Sequence, residues 1–226
     1  MKKFFRAKLF VFLLSLVCIL GILPSFSACK KSVNYFSYVS ELRDNIFLAE
    51  TDEYFLRAYS VVKESPYLAD GIVMESSRRI EIYLVAPQGD KNCAISFSVG
   101  EKSYGGEMSF DNVKTEYYLS CTLDVSFLRE INFSITYGEK NVLLKACSVL
   151  NGKELSAKSI LNGLRQESPE PFVALTDKYG FAGEIYIRLI YEENPYYYVG
   201  IIDRNGKIYA FLVNAITGKT LAKRET

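Results

Sequence analysis

The strict alternation of apolar and polar residues in the centre of the chain limits its fold more than any other feature. Residues 115–125 give the clearest example, in which every second side chain is apolar. The apolar residues are Tyr117, Leu119, Cys121, Leu123 and Val125, and those between them are Tyr118, Ser120, Thr122 and Asp124. Because successive side chains of a β-strand point to opposite faces, this period of two predicts a strand with one buried face.

Similar alternation recurs along residues 45–150. The stretches that carry it are 54–64, 79–85, 93–99, 131–137 and 142–149. Turn-forming pairs such as Asp111-Asn112 and Tyr137-Gly138 separate some of them. Short strands punctuated in this way predict an antiparallel β-sandwich of immunoglobulin-like architecture over residues 41–150. The chain has no tryptophan. The Cys…Trp…Cys signature of true immunoglobulin domains is therefore absent, and the prediction covers architecture only.

After residue 150 the period changes. Ala157, Ile160, Leu161 and Leu164 are spaced as one face of a helix, and Ser156 can cap its first turn. Three further strands are predicted, at about 183–191, 196–202 and 207–213, and the Asn-Gly pair at 205–206 is a strong hairpin signal between the last two. Residues 151–226 are predicted to form an α+β domain, a helix followed by a three-stranded antiparallel meander. The expected fold class is therefore mainly β with an α+β part.

The end of this region resembles a PepSY-type domain. The matching segments are Tyr197–Asp203, Gly206–Tyr209 and Val213–Thr220. The family typically ends its last strand with an Asp-Ala-x-Thr-Gly-like turn, and here the first position is Asn214. Such domains occur in propeptides of secreted metallopeptidases and have been proposed to inhibit peptidases. The resemblance implies a peptidase as a partner and implies no catalytic residue.

The first 28 residues have the residue pattern of an export signal. Lys2, Lys3, Arg6 and Lys8 precede an apolar run from Leu9 to Leu23 that carries no charge. As a helix that run would reach only about 22 Å, which is short of the roughly 30 Å hydrocarbon core of a bilayer. We therefore expect residues 1–28 to be a signal peptide that sends the following chain out of the cytoplasm.

The end of this signal resembles the lipobox of bacterial lipoproteins. The matching residues are Phe26-Ser27-Ala28-Cys29, although the family usually has an aliphatic residue where Phe26 stands. The resemblance implies that Cys29 becomes the mature N-terminus and carries a diacylglycerol thioether, so that membrane lipid is a partner. Residues 29–40 would then be a lipidated tether on the extracytoplasmic side of the cell membrane. Two alternatives are cleavage after Ser27, which would give a freely secreted protein, and an uncleaved anchor.

Composition excludes several chemistries. The chain has no histidine, which excludes a Ser-His-Asp triad and histidine-ligated zinc. Cys93, Cys121 and Cys147 form no Cys-x-x-Cys motif, and no glycine-rich nucleotide loop is present. No catalytic residue, metal site or cofactor is therefore expected. The three cysteines are either all reduced and buried or form one disulfide and one free thiol.

The charge balance argues against a nucleic acid as partner. Four of the 27 basic residues lie in the signal, which leaves 23 in the mature chain against 26 acidic residues. No basic patch stands out that could follow a phosphate backbone.

The aromatic run Tyr196-Tyr197-Tyr198 is the most noticeable binding feature. In a strand Tyr196 and Tyr198 share one face, which we expect either to contact a ligand or simply to cover the sheet. The expected function is a non-enzymatic binding or regulatory module at the cell envelope, with a peptidase as the proposed target. The alternatives are a surface adhesion or ligand-binding module, and an envelope enzyme that uses two carboxylates alone.

Overall fold

A computed structural model describes residues 33–64, 70–87 and 92–226. The expected signal peptide at 1–28, the lipid-attachment residue Cys29 and the first part of the expected tether lie outside these residues. From Asn34 to Thr226 the chain forms one compact unit. No helix in the described part is long and apolar enough to cross a membrane.

The described chain contains fifteen strands and two short α-helices. The strands are β1 (Val39–Glu50), β2 (Phe55–Glu64), β3 (Ser76–Val85), β4 (Cys93–Val99), β5 (Lys102–Glu107), β6 (Ser109–Asp111), β7 (Glu116–Cys121), β8 (Glu130–Tyr137), β9 (Lys140–Ser148), β10 (Thr176–Asp177), β11 (Gly180–Phe181), β12 (Gly183–Tyr191), β13 (Pro195–Asp203), β14 (Ile208–Asn214) and β15 (Thr220–Glu225). The helices are α1 (Ala157–Glu167) and α2 (Glu170–Ala174), and a 3-10 turn at Tyr35–Tyr38 precedes β1.

The predicted mainly-β fold, with a sandwich followed by an α+β part, is confirmed. One layer of the sandwich contains β1, β2, β3, β7 and β6 in that order, and the other contains β5, β4, β8 and β9. All pairs within the two layers are antiparallel. The alternating residues fill the space between them as expected, with Ile80, Ile82 and Leu84 fully buried against Phe133 and Ile135. Each such side chain contributes about 1.5–3 kcal/mol by leaving water.

Strand β1 belongs to both halves of the chain. Its second half pairs with β9 through Phe47 and Leu48, which joins the two layers of the sandwich. Its first half pairs in parallel with β12, so the C-terminal meander continues the same sheet. The boundary expected at residue 150 is therefore not a break in the sheet. A register shift between Arg43 and Asn45 marks a β-bulge, which turns the odd-numbered side chains from the outer face to the core.

The C-terminal part contains the predicted helix and strands, together with one additional strand. Ser156 caps α1 by accepting a hydrogen bond from the Ser159 backbone nitrogen at 3.2 Å. The buried side of α1 carries the four predicted residues, Ala157, Ile160, Leu161 and Leu164. Strands β12, β13 and β14 form the predicted meander, and β15 extends it at the outer edge. Tyr35, from the segment expected as tether, packs on Phe172 and Phe181 with ring centroids 5.0 and 5.3 Å apart.

The three described cysteines are all free thiols. Cys93 is buried in the sandwich core, Cys121 is partly exposed and Cys147 is exposed. Of the two alternatives, the structure has the one with three unpaired cysteines, but only Cys93 is buried as that alternative expected. The side chain of Cys147 lies on the solvent side of β9, where the neighbouring Ala146 turns into the core.

Candidate functional site: the outer face of the sheet

One face of the continuous sheet points away from both the sandwich core and helix α1. Along β2 and β3 this face is made by the odd-numbered residues, and along β7, β12 and β13 by the even-numbered ones, as the strand register requires. It carries a concentration of arginine and tyrosine, and we call it the arginine–tyrosine face. Its arginines and tyrosines are Arg43, Arg57, Tyr59, Arg79, Tyr83, Tyr118, Tyr186, Arg188, Tyr196 and Tyr198, and Val61 and Lys63 lie among them.

Three tyrosines form a contiguous row on the sandwich part of this face. Tyr59 and Tyr83 have ring centroids 5.6 Å apart, and Tyr83 and Tyr118 have centroids 5.0 Å apart. All three rings are partly exposed. Burial, together with the negative charge of Glu81, raises the pKa of Tyr83 well above its ordinary value, so its hydroxyl stays protonated and donates to Glu81 at 3.4 Å. The row therefore presents neutral aromatic rings to solvent.

Arginine side chains lie over these rings. The guanidinium carbon of Arg43 is 3.9 Å from the Tyr59 ring centroid, and that of Arg57 is 5.5 Å from the Tyr83 centroid. Such cation–π contacts contribute about 0.5–2 kcal/mol each and hold the long side chains flat against the sheet. The result is a stacked, pre-ordered surface rather than a layer of mobile charges.

Three cations of the face are neutralised by carboxylates that are themselves almost fully buried. Arg57 pairs with Glu116, Lys63 pairs with Glu81 and Arg188 pairs with Glu41. The Arg188 guanidinium donates to the Glu41 carboxylate through Nε, at 2.9 Å, and through Nη2. These pairs fix the arginines in place, and Glu41–Arg188 ties β1 to β12 across the parallel junction.

The structure places the predicted tyrosines Tyr196 and Tyr198 on this same face. Tyr198 packs against Tyr186 with ring centroids 5.8 Å apart, and both predicted residues are partly exposed. Tyr197 points to the other side, where it is buried beside the start of helix α1. Burial, with Asp44 and Glu154 nearby, raises the pKa of Tyr197 to about 12. The alternation expected from the sequence is confirmed, whereas ligand contact by Tyr196 and Tyr198 stays a prediction.

A shallow pocket of 290 Å³ lies at the β6 margin of the face. Its lining includes Tyr83, Tyr118, Glu116 and Asp111. Hydrogen bonds from the backbone nitrogens of Lys114 and Val113 lower the pKa of Asp111, while Glu116 is paired with Arg57. Both carboxylates already have partners, so the pocket is better suited to hold an aromatic or polar side chain than to transfer protons.

Two further buried glutamates, Glu64 and Glu184, secure the chain that leads from β2 to β3. Glu184 is fully buried and accepts hydrogen bonds from Ser40 Oγ at 3.2 Å and from the Gly71 backbone nitrogen at 3.1 Å. Glu64 accepts from the Met74 backbone nitrogen. Burial, with Glu64 and Asp70 nearby, raises the pKa of Glu184. These carboxylates act as structural acceptors, and the described residues contain no group of three Cys, Asp or Glu placed to hold a metal ion.

Sequence reasoning missed the sandwich half of the face although each residue was visible. Tyr59, Tyr83 and Tyr118 all stand on the polar side of an alternating strand. They lie side by side only because of the strand register, which places Arg57 opposite Tyr83 and Tyr83 opposite Tyr118. An aromatic residue on the expected solvent side of three strands was the signal that could have indicated the surface.

Comparison with known proteins adds no relative: no family model, no curated protein and no solved structure matches this chain.

Proposed function

We propose that this chain is a lipid-anchored, non-enzymatic binding module of the cell envelope that holds a protein partner on its arginine–tyrosine face. The observation that carries the proposal is the partly exposed row of Tyr59, Tyr83 and Tyr118 with arginines stacked on it. Tyrosine and arginine are enriched in the energetically dominant part of protein interfaces. A flat surface of this kind suits another protein better than a small molecule, which prefers an enclosed cavity.

The anchoring part of the proposal rests on the sequence. A basic start, a 15-residue apolar run from Leu9 to Leu23 and the segment Phe26–Cys29 support export followed by lipidation at Cys29. Two long acyl chains would hold the protein stably on the membrane, because each buried methylene contributes about 0.8 kcal/mol. The PepSY-like ending supports a peptidase as the partner.

The location is tested by metabolic labelling of growing cells with a radioactive fatty acid. The wild-type protein is expected to take up the label and to fractionate with membranes, and the Cys29→Ala variant is expected to take up none. Equal labelling of both, or a protein found unmodified in the cytoplasm, would contradict the proposed anchor.

The binding surface is tested by site-specific photo-crosslinking in intact cells. A photoreactive phenylalanine introduced at Tyr118 is expected to trap one defined protein, which is then assayed for peptidase activity with and without this chain. The matched control carries the same group at Leu143, which is 82% exposed on the opposite layer of the sandwich. Identical products from the two positions, or none from Tyr118, would contradict the proposal.

A surface adhesion module remains the second candidate, because the same tyrosines could stack on sugar rings. Glycan-array binding that is lost on Tyr83→Ala, without any protein trapped at Tyr118, would favour it.

A further inference from the structure

Two arginines of the arginine–tyrosine face differ from the rest because no carboxylate of the described chain neutralises them. Arg57, Lys63 and Arg188 each pair with a buried glutamate, whereas neither Arg43 nor Arg79 takes part in an ion pair with any described residue. In both unpaired arginines the Nε atom is buried and has no hydrogen-bond partner among the described residues.

These two arginines lie on one line across the sheet. Arg43 on β1 and Arg79 on β3 both have Val61 of β2 as their cross-strand neighbour. Two strand spacings of about 4.8 Å place their Cα atoms about 10 Å apart. Val61 is fully buried although it belongs to the outer face, which indicates that the side chains around it lie flat over it. Arg188, opposite Arg43, continues the line onto β12.

Both guanidinium groups are held in place by neutral contacts. Arg43 stacks on Tyr59 at 3.9 Å, and Arg79 donates from Nη2 to Ser77 Oγ at 2.6 Å. Neither contact neutralises the charge, and neither uses all five N–H donors of the group.

We infer that the protein partner presents an acidic segment whose carboxylates bind Arg43 and Arg79. This inference rests on the function proposed above and adds the chemistry of the partner. Guanidinium is planar and always charged, and its donors match the two oxygens of a carboxylate. Two uncompensated arginines about 10 Å apart, at the margin of a tyrosine row, are complementary to two acidic side chains with apolar or aromatic groups beside them.

The test uses a stiff peptide of matching spacing. A polyproline II helix has three residues per turn and rises about 3.1 Å per residue, so four repeats of Glu-Pro-Pro place glutamates on one side about 9 Å apart. This peptide is titrated into the full-length lipidated chain in detergent micelles, and the Gln-Pro-Pro peptide is the control. We expect the glutamate peptide to bind at least about tenfold more tightly, and its affinity to fall as salt is raised.

The Arg43→Gln/Arg79→Gln variant is expected to lose about tenfold or more in affinity for the glutamate peptide. The matched control is Lys102→Gln/Lys153→Gln, which removes two exposed lysines without described ion pairs elsewhere and gives the same net charge. It is expected to bind like the wild type. The Arg43→Lys/Arg79→Lys variant keeps the charge without the planar fork and is expected to fall between them, which guards against loss through misfolding.

Several outcomes would overturn the inference. Equal binding of the two peptides, or equal loss in both double variants, would show that Arg43 and Arg79 recognise no carboxylate. If phosphatidylglycerol added to the micelles displaces the glutamate peptide from the wild type, the arginines are assigned to lipid headgroups instead. If the protein trapped at Tyr118 is also trapped by the Arg43→Gln/Arg79→Gln variant, the proposed function stands and the acidic contact fails. If no protein is trapped even by the unsubstituted face, the proposed function itself fails.

Discussion

At Gly200 the backbone of β13 passes directly beneath the ring of Tyr186. A methyl group added there would overlap the ring atoms, and Tyr186 is only 5% exposed, so the ring has little room to move. We expect Gly200→Ala to lower the free energy of unfolding by about 1–3 kcal/mol, as overpacking usually does. Urea denaturation followed by circular dichroism measures this change.

The helical glycine Gly163 supplies the matched control. Nothing lies within 4 Å of a methyl group added at this exposed position of α1. Gly163→Ala is therefore expected to raise the free energy of unfolding by about 0.5–1 kcal/mol. In a Tyr186→Leu background the cost of Gly200→Ala should shrink, and an unchanged cost there would show that the ring is not its cause.

The second residue-scale prediction concerns the buried carboxyl of Glu184. Its pKa is raised in the folded protein by burial and by Glu64 and Asp70. The folded state therefore binds the proton of this carboxyl more tightly than the unfolded chain does. As the pH rises from the pKa of the unfolded state, about 4.3, through the pKa of the folded state, the contribution of this group to stability falls.

Glu184→Gln removes this titration while keeping the shape of the side chain. The free energy of unfolding of the wild type, relative to that of Glu184→Gln, is therefore expected to fall between pH 4 and pH 8. Urea titrations of both proteins across this range provide the measurement. The carboxylates that do not interact with Glu184 titrate alike in both proteins, so their contributions cancel in the difference, whereas Glu64 and Asp70 are part of the effect measured. Parallel stability curves would contradict the assignment.

At the scale of the element, helix α1 depends on its first turn. Among the described residues, only the Ser156 side chain accepts a hydrogen bond from the Ser159 backbone nitrogen. Ser156→Ala is expected to lower the free energy of unfolding by about 1 kcal/mol. Ser156→Asp is expected to retain most of the stabilisation that the cap provides, because aspartate caps as well as serine. Chemical denaturation of the three proteins tests the cap. Equal losses in both variants would mean that the hydroxyl acts through another contact.

The strands that could be predicted from the sequence are those in which apolar residues alternate with polar ones, so that one face is buried. Ile80, Ile82 and Leu84 alternate and are all fully buried. Strand β5 was missed because Gly105-Gly106 resembles a turn, whereas Gly105 is required where a side chain would collide with the Ile95 carbonyl. Strand β15 was missed because an exposed, charged edge strand has no buried face to impose alternation.

The candidate site was only half predictable for a related reason. Tyr196 and Tyr198 stand close together in the sequence, so their shared face follows from the period of two. The neighbours Tyr83 and Tyr118 are brought together by strand pairing, which the period alone does not specify. The position of Arg43 on this face could not be predicted either. The bulge between Arg43 and Asn45 makes the odd-numbered side chains of β1 point to the outer face before it and to the core after it.

For the whole molecule, the pairing of β1 with β2, β9 and β12 links the sandwich to the C-terminal part through backbone hydrogen bonds. We therefore expect residues 34–226 to unfold as one cooperative unit rather than as two domains. A substitution that destabilises the C-terminal part should then lower the stability of the sandwich as well, so that its core becomes exposed at a lower urea concentration. Leu164→Ala is suitable, because Leu164 is 1% exposed in α1 and its truncation should cost about 2–5 kcal/mol.

Cys93 reports on the sandwich core, away from the C-terminal part in the sequence. It is buried in the sandwich core, and burial raises the pKa of its thiol to about 11, so the folded protein should resist alkylation. Pulse alkylation at increasing urea, read by peptide mass spectrometry, gives the midpoint at which Cys93 becomes reactive. Leu164→Ala is expected to lower this midpoint together with that of the helical circular dichroism signal. The control Leu143→Ala, at an exposed position, should move neither. If the helical signal shifts while Cys93 stays protected, the two halves unfold independently, and the shared strand does not couple them.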